Sequence, residues 1–460
     1  MMLVEGGDAE TSRAPTHPDL ALPASPEPSP PRGSSAKRLA GLFLLLLLIC
    51  APVITLHADR NRALSVLDEF AYADYLHKID SGRLVVRHGD LSEQTALREL
   101  ACRGYAPSTW NDRPPCDAPS FDPGLFPNAG INSADIHPPT YFLVTYAGAR
   151  AILATGVTDD LVHAGRMFGA AWMAAGLLAL WCLLRAMGVN RWVAVCGLAL
   201  VAAGPMLLQQ WHYLTPDAAN VLVGSLVMLA VLRWERSGAG RVWLAAVGVL
   251  AMAIKAPNVI IIVTGCLYLI VRAVLARTAP DGQTRSVREH LVAVATLIGG
   301  AAVASVTWLA VRAALARPGI TPMERDERVG GLHPSQVMEN VARFITPWDR
   351  EPSSLYPLAV VTSYLLVGSL LVAVIALSRR DRRYSLALAT GAVLLAGPLL
   401  LVAVNFVVRG SYTIIEPRYG STLVPIQCAI AATFWSRRAL PFVTALAVVA
   451  PAAVLFRLLV

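Results

Sequence analysis

Eleven predominantly apolar stretches punctuate the chain between Leu39 and Leu459, at residues 39–56, 167–184, 192–208, 218–232, 242–254, 259–274, 291–311, 358–377, 385–408, 421–435 and 440–459. A helix rises 1.5 Å per residue, so the first of these, about 18 residues, reaches roughly 27 Å and can cross the hydrocarbon core of a bilayer. Only 15% of the 460 residues are charged, against about 25% in soluble domains. The chain therefore reads as an all-α polytopic membrane protein with about 11 transmembrane helices, and an ordinary soluble enzyme is excluded.

The formal net charge is +8, but the cations are not spread as a nucleic-acid surface would need. Arg185/Arg191, Arg233/Arg236/Arg241, Arg272/Arg277/Arg285/Arg288, Arg379/Arg380/Arg382/Arg383 and Arg437/Arg438 mark every second connection between apolar stretches. Cytoplasmic loops carry such an excess of Lys and Arg, so these five are expected inside, and no nucleic-acid partner is needed to explain them. Residues 1–35 are rich in Pro, Ala and Ser and poor in large apolar residues, which predicts a disordered cytoplasmic tail. A signal peptide over 39–56 is the rival, disfavoured by the long preceding tail and the missing small-residue cleavage site after Leu56. Residues 36–460 then form one membrane domain with two sizeable external segments, 58–165 and 312–357.

Within the first of these, the apolar stretch 139–155 creates a parity conflict. Counted as a crossing, it would turn all five Arg-rich connections outward. Arg150 in its middle and the rigid His137-Pro138-Pro139 at its start favour a helix lying in the outer interface. The alternative is a true span with a miscounted neighbour. Cys102 and Cys116 both sit in this polar external segment, where oxidation is permitted, and a disulfide between them is expected. The remaining cysteines lie in apolar stretches as small hydrophobes.

Polar groups beside membrane helices are costly, so their depth is informative. Asp217, Lys255, Asn258, Glu416 and Arg418 fall at outer ends of expected helices, and Arg166 joins them if 139–155 does not cross. Midplane carboxylates of the kind a proton-driven pump uses are nearly absent. An enzyme acting on a lipid phosphate needs cations at headgroup depth, where Arg grips phosphate oxygens bidentately and Lys supplies a point charge. Taken singly, each cation is equally well read as a snorkelling anchor. Twelve residues past the first span, Asp68-Glu69-Phe70-Ala71-Tyr72-Ala73-Asp74-Tyr75-Leu76 predicts a short helix near the membrane surface. A carboxylate there is placed to act as general base on an acceptor hydroxyl; the plainer alternative is that Asp68 is a helix N-cap.

The Asp68-Glu69-x-x-Tyr72-Ala73 pattern after a first membrane helix resembles the first-loop signature of GT-C glycosyltransferases of the lipid A aminoarabinose transferase and protein O-mannosyltransferase type. That resemblance implies a GT-C-like helical bundle, Asp68 as catalytic base and Glu69 as its supporting neighbour. His137-Pro138-Pro139-Thr140-Tyr141 is similar to the motif that opens a juxtamembrane helix in those enzymes, and Arg166 to the Arg that begins their next span. Thr215-Pro216-Asp217 resembles their second external aspartate motif, Ala253-Ile254-Lys255-Ala256-Pro257 an element between two later helices, and Glu416-Pro417-Arg418-Tyr419 the Arg-Tyr motif of a late helix. The likeness runs from Asp68 to Pro425 in short motifs. The chain departs from it in lacking the external Asp-x-Asp that some metal-dependent members use, so no cofactor is expected to be required, and a divalent cation stays open as the less favoured alternative.

The resulting expectation is an inverting glycosyltransferase that moves a sugar from a polyprenyl-phosphate donor to an extracytoplasmic cell-envelope acceptor, whether glycan, lipid or protein. Asp68, Glu69 and Asp217 form the catalytic set, Arg166, Lys255 and Arg418 bind the donor phosphate, and Tyr72, His137, Glu416 and Tyr419 position substrate. A transporter or flippase of lipid-linked sugars would use the same cations without needing Asp68. A polysaccharide ligase acting on a lipid diphosphate and a non-catalytic scaffold complete the alternatives.

Overall fold

A computed structural model describes residues 36–66, 68–106, 113–276, 285–316, 328–329, 334–345, 356–409, 412–413, 415–435 and 439–459. The expected N-terminal tail, Arg277, Arg437, Arg438 and most of the 312–357 segment lie outside the described residues. Among the described residues sixteen α-helices follow in order: α1 (Ala36–Arg60), α2 (Glu69–Asp80), α3 (Gln94–Arg103), α4 (Thr140–Leu153), α5 (Leu161–Ala186), α6 (Arg191–Ala202), α7 (Pro205–His212), α8 (Asn220–Ser237), α9 (Arg241–Ile254), α10 (Val259–Ala276), α11 (Val287–Leu315), α12 (Pro334–Ile345), α13 (Tyr356–Ala376), α14 (Arg382–Arg409), α15 (Val424–Phe434) and α16 (Leu440–Leu459).

Each of the eleven expected segments is helical. Among the described residues, seven helices are long and apolar enough to span a membrane, or eight if the α6–α7 pair is one broken span. The 67° bend in that pair falls where Gly204-Pro205 interrupts the stretch expected at 192–208, because proline cannot donate the hydrogen bond that would continue the helix. The other three segments are shorter: α9, residues 360–376 of α13, and α15. The 14-residue α4 is not among the candidate spans.

Burial sorts the helices. In the span beginning at Pro216 and running through α8, 72% of the apolar window is buried, against 11% in α1 and 22% in α11. Leu48, Ile49, Val303, Val306 and Leu309 accordingly face outward and exposed, as lipid-facing side chains do. The charges follow the same logic. Asp217 precedes α8 and Glu235 lies near its far end, where it accepts hydrogen bonds from Tyr268 and from Arg272 Nε at 2.8 Å and lies 3.5 Å from Arg382. Eighteen helical residues separate the two carboxylates, roughly 27 Å or about the thickness of a bilayer core. This is a multi-pass membrane protein with a polar cluster at each end of its central helix.

The chain between α1 and α5 packs on one end of the bundle. Its α2 lies against α4, with Tyr75 and Phe142 rings stacked at 4.0 Å. Inside it, Asp74 pairs with buried Lys78 and accepts from Glu93 N at 2.7 Å and Asn132 Nδ2 at 2.5 Å. Arg312 at the end of α11 clamps Asp135 at 2.7 Å, and His88 meets the same carboxylate at 3.0 Å, tying this segment to the bundle. Leu64–Ser65 runs parallel to Tyr105–Ala106 in a two-residue ladder, and Arg328–Val329 antiparallel to Tyr412–Thr413.

Candidate active site

Two glycines let backbone approach where the polar groups gather. A Cβ at Gly224 of α8 would lie 2.1 Å from the Thr422 carbonyl oxygen, and one at Gly169 of α5 would lie 2.0 Å from that of Trp211. Neither contact tolerates a side chain, so the 3₁₀ segment Pro417–Leu423 seats directly on α8 and α7 directly on α5.

Asp68 precedes α2 with φ 64° and ψ 7°, in the left-handed region, and its side chain makes no cap hydrogen bond. It occupies the N-cap position of α2, where its carbonyl accepts from Tyr72 N at 3.2 Å, without capping the helix through its side chain. The conformation is uncommon for a residue with a side chain, and Asp is among the few types that tolerate it. It leaves the carboxylate 30% exposed, with Oδ2 accepting from an Arg418 terminal nitrogen at 2.8 Å.

Next to it, Glu69 is wholly buried and spends its carboxylate on structure. It accepts from Arg166 Nε at 2.8 Å and a terminal nitrogen at 2.7 Å, from Ser65 N at 2.7 Å and from Leu214 N at 2.9 Å. Arg166 also donates to the Asn61 and Ala63 carbonyls at 2.5 and 2.8 Å, and its guanidinium lies 5.0 Å from the Tyr213 ring centre. The pair thus ties the exit of α1, the start of α2, α5 and the strand of chain after α7 into one knot. Arg166 faces Glu69 here rather than joining the cations expected at a phosphate.

Those cations meet at Asp217. Lys255 Nζ donates to both of its carboxylate oxygens at 2.7 and 2.8 Å, Asn220 Nδ2 donates at 3.1 Å and Thr215 Oγ1 at 3.1 Å, and Arg418 Nε stands 3.6 Å away. Local sequence explains the placement. Thr215 receives the Asp217 N–H at 3.3 Å and opens the 3₁₀ turn Pro216–Ala219 that leads into α8. Lys255 ends α9 in an extended conformation and leads into the 3₁₀ turn Ala256–Asn258, with Pro257 in its first positions. Burial pulls the Lys255 ammonium below its ordinary range, against the attraction of Asp217. Tyr419 covers the group, with Lys255 Nζ 4.8 Å and the Arg418 guanidinium 5.8 Å from its ring centre, within reach of cation–π attraction.

Tyr72 and His137 sit together, phenol oxygen to Nε2 at 3.3 Å. Burial, followed by the Lys255 charge, lowers the His137 pKa to about 3, so its imidazole is neutral and can only accept or donate a hydrogen bond. Burial, with Asp68 next, raises Tyr72 well above the usual phenol range. Glu416 opens the Pro417–Leu423 segment, where its carbonyl accepts from Tyr419 N at 3.0 Å and its side chain makes no cap hydrogen bond. Asn220, Ser421 and Gln210 also belong to the site and were missed by the motif reading. Asn220 donates to Ser421 Oγ at 2.7 Å, and Ser421 donates to the Arg418 carbonyl at 2.6 Å. Only the spacing of Asn220, one helical turn past Asp217, carried a signal. Away from the cluster, Cys102 and Cys116 form the expected disulfide, with Cα atoms 4.6 Å apart.

Asp68, Asp217, Lys255 and Arg418 thus form one cluster of two carboxylates and two cations, with the Asp68 end open to solvent. No family model matches the chain, and no curated protein does. Among solved structures it is similar to ArnT from Cupriavidus metallidurans. The crystal structure bound to undecaprenyl phosphate aligns at 18% identity over 89% of this chain and 62% of that one, with a TM-score of 0.48. The apo structure aligns at 18% identity over 86% and 60%, with a TM-score of 0.47. The chain therefore spans less than two thirds of the length of the protein it is similar to.

Proposed function

We propose that the protein is an inverting glycosyltransferase that takes a sugar from a polyprenyl-phosphate donor and passes it to a cell-envelope acceptor outside the cytoplasmic membrane. The observation that carries this reading is the Asp68–Arg418 contact: a part-exposed carboxylate held 2.8 Å from a guanidinium at the end of a membrane bundle.

In this scheme the donor phosphate enters at Arg418 and Lys255 and competes with the two carboxylates for them. As Arg418 turns to phosphate, the Asp68 carboxylate is freed to accept a proton. The acceptor hydroxyl attacks the anomeric carbon, its proton passes to Asp68, and the bond from that carbon to the phosphate oxygen breaks with its electron pair on the phosphate. Arg418 and Lys255 stabilise the charge that collects there. Such a leaving group needs no acid. Asp217 keeps the two cations in place, and the Glu69–Arg166 knot holds the backbone on either side of Asp68. His137 and Tyr72 line the neutral side of the site.

The full chain in lipid nanodiscs, given a radiolabelled polyprenyl-phosphate sugar and an envelope extract as acceptor, should release polyprenyl phosphate and yield product of opposite anomeric configuration. In sealed proteoliposomes, movement of intact donor across the bilayer with no release would instead identify a flippase.

A further inference from the structure

The chain enclosed by the Cys102–Cys116 disulfide runs beside the backbone that leads to Asp68. Gly104 ends α3 and turns the chain back, its carbonyl accepting from Leu64 N at 2.9 Å. Tyr105 and Ala106 then pair in parallel with Leu64 and Ser65. Ser65, close ahead of Asp68 in the chain, donates its N–H to Glu69 at 2.7 Å. The Tyr105 phenol lies near enough for both carboxylates to act on it: burial raises its pKa above the usual phenol range, and the charges of Asp68 and Glu69 raise it further.

This ladder has little strength of its own. Parallel pairing is the weaker kind, and so short a pair of strands is marginal in water. Gly104 stands at φ 69° and ψ −169°, a region open essentially only to glycine. The core and an ion pair secure α3 as far as its last turn, through buried Leu100 and Ala101 and through Arg103, which pairs with the Asp160 that caps α5. Beyond Gly104 the tie is covalent. With Cα atoms 4.6 Å apart, Cys102 and Cys116 close the loop that carries Tyr105 and Ala106, which removes chain conformations in which the ladder is open. Both cysteines are exposed, so the bond is open to thiol reagents.

Asp68 needs such support. Its left-handed backbone persists only while the chain around it is held, and a misplacement of about 1 Å can cost on the order of 10²-fold in rate. We infer that the Cys102–Cys116 disulfide is a positioning bond for the Asp68 carboxylate, acting through Tyr105–Ala106 on Leu64–Ser65, so that transfer reaches its full rate only while the bond is oxidised. The inference rests on the transferase reading. A dithiol opens the bond by giving two electrons and two protons; the cysteines become thiols and the dithiol closes into its own disulfide. Lys255 and Arg418, which hold the donor phosphate, sit on other elements and keep their grip.

The test assays the full chain in nanodiscs for release of polyprenyl phosphate, oxidised, after dithiothreitol, and after reoxidation with oxidised glutathione, with thiol titration to confirm each state. Reduction should lower kcat about tenfold while donor KM and bare-lipid affinity stay within about twofold. Hydrogen exchange should speed up in the peptide carrying Leu64 and Ser65, and reoxidation should restore both rate and protection. A protein with Cys102→Ser and Cys116→Ser together should show the low rate from the start and ignore the dithiol. Gly104→Ala, which keeps both cysteines, should show the same fall in kcat. Reduced wild type, or Gly104→Ala, with kcat within about twofold of the oxidised wild type overturns the positioning bond and leaves the transferase reading standing. A loss carried by donor KM, or one with unchanged exchange at Leu64 and Ser65, also overturns it, since the bond would then act elsewhere. Wild type that releases no polyprenyl phosphate in either state ends both readings.

Discussion

Arg418 reaches back across 350 residues of chain to hold the Asp68 carboxylate at 2.8 Å, while its Nε stands 3.6 Å from Asp217. One guanidinium therefore connects the surface carboxylate before α2 with the buried one before α8. The contact gives Asp68 a partner that a phosphate can displace, and several outcomes turn on it.

Asp68→Asn should abolish turnover while leaving donor binding and folding intact. Asn tolerates the left-handed backbone conformation about as well as Asp, so the change removes mainly the ability to accept a proton. General-base assistance is worth roughly 10²–10⁴-fold in rate, about 3–5 kcal/mol of barrier. Release of labelled polyprenyl phosphate, compared with lipid binding on the same preparation, measures both. Near-normal transfer would remove Asp68 as the base.

Lys255→Met should weaken binding of bare undecaprenyl phosphate and slow turnover together, since the ammonium acts on the donor phosphate before and during bond breaking. If turnover falls with lipid affinity unchanged, Lys255 serves only to neutralise Asp217.

Arg166→Met should instead act on folding. Removing one member of a buried pair leaves the Glu69 carboxylate uncompensated and typically costs about 3–5 kcal/mol. A thermal melt in detergent should show a clear drop in midpoint, and Glu69→Gln should drop it as well. An unchanged melt with a lost affinity for lipid phosphate would return Arg166 to the phosphate site.

Cys102→Ser opens a loop of about 15 residues, whose closure is worth roughly 3 kcal/mol in the chain-entropy model. Protection of the 94–131 region from protease should fall in the variant. In intact cells an impermeant thiol reagent should label Cys102 and Cys116 only after reduction; labelling without it would show that the bond does not form there.

Reporter fusions decide the topology. One placed after Thr155 and one after Pro138 should both read outside, and one after Arg383 inside, if α4 lies in the interface. A cytoplasmic signal after Thr155 would make α4 a crossing and reverse the assignment of the Arg-rich connections.

The amino-acid sequence determined where the helices lie and which polar residues fall at their ends, because a membrane helix satisfies its own backbone and reveals itself in apolar length alone. It also placed Cys102 with Cys116, since two cysteines in one polar segment have few other partners. Pairing across long separations was a different matter. Glu69 and Arg166, 97 residues apart, are expected from their motifs as catalytic neighbour and phosphate ligand, and that the two side chains pair with each other is visible only once α2 and α5 are packed. Whether the Asp68 side chain caps α2 depended on a backbone angle that residue type permits but does not dictate. Gln210 shows no signal in its own neighbourhood, for its place beside Ser421 comes from a bend at Gly204-Pro205 and a close approach at Gly169 that carry α7 to the cluster. Which charges neutralise one another in a low-dielectric interior depends on distances of a few ångströms, and only the tertiary structure decides those.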